Sequence, residues 1–133
     1  MKKIKIKEDG IEIYMVSNSK NEVVAVYSNN NENEVKSVVT PEDWEIIRQH
    51  KVQPIFKVTT IECDCDPWTG MGRQQSHYET ICSRIGFEPQ PRISASFGCW
   101  EWPVIYRSEK EQQVAKEYLT DLYDRGLCRY ASW

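Results

Sequence analysis

Hydrophobic and polar positions alternate from the start of the chain. Ile4 and Ile6 fall on one side with lysines on the other, Asp9-Gly10 interrupts, and Ile11, Ile13 and Met15 resume the pattern. Period-two alternation broken by Asp-Gly predicts a β-hairpin, because a two-residue turn needs residues that accept positive φ. The apolar runs Val23 to Tyr27 and Val35 to Val39 follow polar loops and extend the reading to an antiparallel meander. The lysines near the first strand suit an edge that must resist pairing with another copy.

The pattern then changes. Thr40-Pro41-Glu42-Asp43-Trp44 is a helix start, with Thr40 as N-cap, Pro41 in the first turn, and Val39 placed to pack on Trp44. This helix should end near Lys51, ahead of Pro54, with Trp44 and Ile47 toward the sheet and His50 near its negative end. Ile55 to Ile61 is β-branched and aromatic and predicts a strand. Met71 to Ile85 reads as a helix with Tyr78, Ile81, Cys82 and Ile85 on one face, stopped by Gly86.

Pro89, Pro91 and Pro103 bracket an extended run, Arg92 to Trp102. In it Ile93, Ala95, Phe97 and Cys99 alternate with polar positions, and Gly98 marks a bulge. Ser108 to Glu111 reads as a capping box opening a helix with the stripe Val114, Ala115, Tyr118, Leu119 and Leu122, which ends by Gly126. Leu127 to Trp133 is expected to return as a short edge strand. Together these elements predict one α+β domain over residues 1–133, a mainly antiparallel sheet of about five strands packed with a C-terminal helix and two shorter helices.

Composition narrows the class. With 40% hydrophobic and 28% charged residues the 133-residue chain has the balance of a globular protein. Charge is spread evenly: nine basic against nine acidic residues up to Ile61, four against six from Glu62 to Arg107, and four against five beyond. Coating of duplex nucleic acid needs a basic stripe, so that class is disfavoured. No run of about 18 apolar residues occurs, so no membrane role is expected. Five cysteines, an odd number in a chain long enough to need no bridges, fit reduced thiols and a cytoplasmic location.

The chemistry gathers between Cys63 and Arg107, a stretch that holds four arginines and no lysine. Trp68, Trp100 and Trp102 occur there with Arg73, Arg84, Arg92 and Arg107. Guanidinium stacks on aromatic rings and grips carboxylate or phosphate through two parallel bonds, and tryptophan and arginine dominate interaction hot spots. On the central helix Arg73, His77 and Arg84 share a polar face. These eight residues are the candidate binding set.

Glu62-Cys63-Asp64-Cys65-Asp66 alternates acid and thiol. Asp64 and Asp66 could hold magnesium, and Cys63, Cys65, His77 and Cys99 could hold zinc. One residue between two cysteines is too tight for the usual zinc knuckle, and Cys82 is better used as a small apolar filler. No cofactor is therefore expected. Nothing places a nucleophile beside a base, and Thr69 to Arg73 lacks the Gly-Lys-Ser/Thr ending of a phosphate loop, so no catalytic residue is assigned.

The resulting expectation is a small non-enzymatic binding protein, a regulator or inhibitor of a host or other partner protein, of the kind phage and mobile-element genes encode, with homo-oligomerisation open. A metal-dependent phosphodiester or nucleotide hydrolase is the alternative from a second class. A sponge for a small nucleotide signal is the third.

Overall fold

A computed structural model describes residues 4–63, 70–92, 95–96 and 99–125. They form an α+β protein whose strands pair antiparallel in two three-stranded sheets, and the chain divides into two compact units, Met1–Ile55 and Phe56–Trp133. Among the described residues no helix is long and apolar enough to cross a membrane.

In the first unit β1 (Ile6–Glu8), β2 (Ile11–Ser17) and β3 (Val23–Tyr27) form the expected meander in the order β1-β2-β3. Glu8 pairs with Ile11 across the two-residue turn, where Asp9 and Gly10 both adopt positive φ, 51° and 76°. The third apolar run is not a strand. Residues Glu32–Val38 form a helix, α1, because Asn31 accepts the Glu34 N–H at 2.9 Å while the Glu34 carboxylate takes the Asn31 N–H at 3.2 Å. That reciprocal cap satisfies two of the orphan donors at the helix start and outweighs the β-preference of three valines.

The second helix, α2 (Pro41–Ile47), starts at Thr40 as expected and is shorter than expected, with Arg48 at its C-cap. Val35 and Ile47 join Ile11, Ile13, Met15 and Val26 in a closed core, with Val39 and Trp44 packed against it. Behind α2 the Asn29 side chain brackets Ile55, accepting its N–H at 2.7 Å and donating to its carbonyl at 3.0 Å.

In the second unit β4 (Lys57–Cys63), β5 (Ala95–Ser96) and β6 (Cys99–Tyr106) are ordered β4-β6-β5, with α3 (Gly70–Ile85) and α4 (Glu109–Asp124) packed on β6 and on each other. The extended run is not one strand: Ala95 pairs with Trp100 and Ser96 with Cys99, so the chain reverses between them. Nor does Pro103 end β6. The Tyr106 carbonyl accepts the Phe56 N–H at 2.9 Å, so by the two-residue period of the ladder Pro103 turns away from β4, toward an edge that the two-residue β5 does not reach. Its missing N–H therefore breaks no ladder bond. The edge strand expected over Leu127 to Trp133 lies outside the described residues.

Tyr78 ties α3 to β6. Its ring stacks on Trp102 with centroids 5.1 Å apart, its hydroxyl donates to the Pro103 carbonyl, and its oxygen accepts the Gln90 N–H at 3.0 Å. Tyr78→Phe keeps the stack and leaves a buried carbonyl and a buried amide without their partner. Chemical denaturation should show a loss of ~2 kcal/mol, within the range for an unsatisfied buried group. An unchanged stability would show that other groups supply those bonds.

Candidate functional site

The α3–α4 surface is held at both ends by sequence-local devices. Gly86, at φ +72°, ends α3, and the Phe87 N–H returns to the Cys82 carbonyl at 2.9 Å, closing the helix in a left-handed cap. Ser108 caps α4 by accepting the Glu111 N–H at 3.2 Å. The other half of the expected box differs: the Glu111 carboxylate takes the Arg107 backbone N–H at 2.8 Å and pairs with its guanidinium at 2.8 Å. Arg107 also donates from Nη2 to the Ile85 carbonyl. It thus joins the end of α3 to the start of α4.

On the outward side of this pair three residues converge. Tyr118 of α4 is half-buried, and its hydroxyl lies 2.8 Å from His77 Nδ1 on α3. The exposed Arg84, two turns further along α3, places its guanidinium carbon 4.7 Å from the Tyr118 ring centroid. The tyrosine is therefore fixed at its polar tip by the histidine while its face carries the arginine. A guanidinium held over an aromatic ring in this way contributes ~0.5–2 kcal/mol, depending on how far it is desolvated.

The other candidates are placed as follows. Trp102 is buried, 6% exposed, in the stack with Tyr78, and among the described residues its Nε1 has no hydrogen-bond partner. Arg92 is exposed in the segment between α3 and β5. Arg73 lies in the first turns of α3, and Trp100 lies in β6 opposite Cys63 and Ala95. Trp68, Asp64, Cys65 and Asp66 lie outside the described residues. Cys63 ends β4, and Cys99 begins the neighbouring β6. Among the described residues no three His, Cys, Asp or Glu side chains come together as a ligand set for a metal.

Tyr118 escapes the sequence reading, which places it in the apolar stripe of α4. Ala115, Leu119 and Leu122 are buried as that stripe requires, while Tyr118 sits at its margin. Compared with known protein families, curated proteins and solved structures, the chain matches none.

Beneath the surface Cys82 is fully enclosed, and burial pushes its thiol up to about 12, with Glu79 and Glu88 acting in the same direction. Such a thiol is neither a nucleophile nor a metal ligand near neutral pH. Burial likewise raises the hydroxyls of Tyr78 and Tyr106 above the ordinary tyrosine range. Because the folded state keeps these protons where the unfolded chain releases them, stability falls as pH rises. For Cys82 the window runs from the ordinary value of 9.0 to about 12. Its share there is ~1.4 kcal/mol per pH unit. Denaturation midpoints taken from pH 8 to 11 should fall steeply, and Cys82→Ala should show a shallower fall; a flat profile would contradict the burial.

Proposed function

We propose that the protein is a small cytoplasmic, non-enzymatic binding protein that regulates or inhibits a partner protein through the α3–α4 surface centred on Arg84. The observation that carries this reading is Arg84 resting on Tyr118, whose hydroxyl is engaged by His77. Side-chain immobilisation on binding usually costs about 0.5–1.5 kcal/mol per long residue, and a guanidinium already settled on a ring has lost part of that freedom beforehand. Arginine and tyrosine are two of the three residue types most enriched at hot spots. A partner that presents a carboxylate, or an aromatic edge beside one, has the matching chemistry.

Affinity capture from host lysate with the full chain, followed by titration of the recovered partner, tests the proposal. Arg84→Ala should weaken binding by ~2 kcal/mol, about thirty-fold, with little change in melting temperature, since Arg84 is exposed. Arg84→Lys should restore little of the loss, because an ammonium does not stack as a plane. Wild-type affinity in Arg84→Ala would overturn the assignment of this surface. Turnover of a nucleotide by the purified chain would overturn the non-enzymatic reading and favour a hydrolase.

A further inference from the structure

In the first unit α1, α2 and the segment after α2 border a pocket of about 270 Å³. Its floor is apolar: Val35 and Ile47 line it, each 1% exposed, with the half-buried indole of Trp44 beside them. The remaining lining is dominated by donors. Arg48 and Lys51 are both exposed and positively charged, and Arg48 meets Glu45 through Nε at 2.9 Å, which leaves the paired Nη groups of the fork for another acceptor. Asn30, whose Oδ1 accepts the Glu12 N–H at 3.3 Å, also lines the pocket, with His50 and Val52. Lys36 lies 5.6 Å from the Trp44 ring centroid and adds a third positive charge nearby. Among the described residues Glu32 is the one carboxylate on the lining.

We infer that this pocket binds a small aromatic monocarboxylate. Each part of that class follows from the lining. Drug-sized ligands occupy sites of roughly 300–1,000 Å³, so this pocket suits a smaller body of one ring or one fused pair. An indole wall over valine and isoleucine favours a flat apolar body, which gains offset stacking on Trp44. The free edge of Arg48 matches a carboxylate in bidentate geometry, with Lys51 adding charge. Glu32 sets the charge limit: a dianion such as a phosphate monoester would meet a like charge at the rim and exceed the single positive excess of Arg48 and Lys51 over Glu32, whereas a monoanion matches it. The residues that line it all belong to the first unit.

The test is isothermal titration of the full chain with benzoate, phenylacetate and indole-3-acetate, alongside their neutral primary amides. At least one acid should bind saturably and stoichiometrically, at least about tenfold more tightly than its amide. Its addition should shift the Trp44 indole N–H resonance. Arg48→Gln should weaken the acid about tenfold with an unchanged melting temperature, and Arg84→Ala should bind it as the wild type does, which separates this pocket from the other surface. No saturable binding of any acid at about 10 mM, equal binding of acid and amide, or wild-type affinity in Arg48→Gln would overturn the inference.

Discussion

Tyr78 is the residue on which the second unit turns. A helix laid on a sheet can slide along it unless some contact fixes the register, and apolar contacts alone are not directional. Tyr78 supplies the direction: ring to Trp102, hydroxyl to Pro103, oxygen to the Gln90 amide beyond the helix end. One side chain thereby fixes α3 against β6 and the following loop together. Arg107 performs the complementary task between α3 and α4. With both helices pinned, His77 and Arg84 are presented to Tyr118 at a fixed spacing.

The buried polar groups of this unit carry a cost that packing offsets. Among the described residues Trp102 Nε1 and the Tyr106 hydroxyl have no hydrogen-bond partner, and each lost hydrogen bond costs about 1–3 kcal/mol. Both belong to large rings buried against the helices, where the apolar area removed from water contributes a similar or larger amount. The same enclosure keeps the Cys82 thiol and the neighbouring tyrosine hydroxyls neutral.

The first unit is organised differently. Its two helices are one to two turns long, too short to persist without tertiary support. Side-chain caps at Asn31 and Thr40 hold their first turns, and Val35 and Ile47 anchor them in the core of the meander. Short helices whose apolar residues reach inward leave their flanks to polar and charged side chains. That geometry produces a recess with an aliphatic floor and a cationic rim.

Much of the architecture was legible in the sequence because its signals are local. Asp9-Gly10 specifies its turn through positive φ, Thr40-Pro41 and Ser108 specify helix starts through orphan N–H groups, and Gly86 specifies a stop. The Val35 to Val39 run reads as a strand by its valines, but that preference is weak and the overriding signal is the reciprocal cap between Asn31, the N-cap, and Glu34 in the first turn of α1. The polar face of α3 followed from helical spacing, which brings His77 and Arg84 into line. What α4 would lay beside them did not follow. Tyr118 reaches His77 across 41 residues of sequence, and Trp44 meets Arg48 and Lys51 around a recess that exists only once α1 is a helix. Periodicity reports which face of an element is apolar; which residue sits at the margin of that face, and what it meets there, is decided by the packing of one element on another.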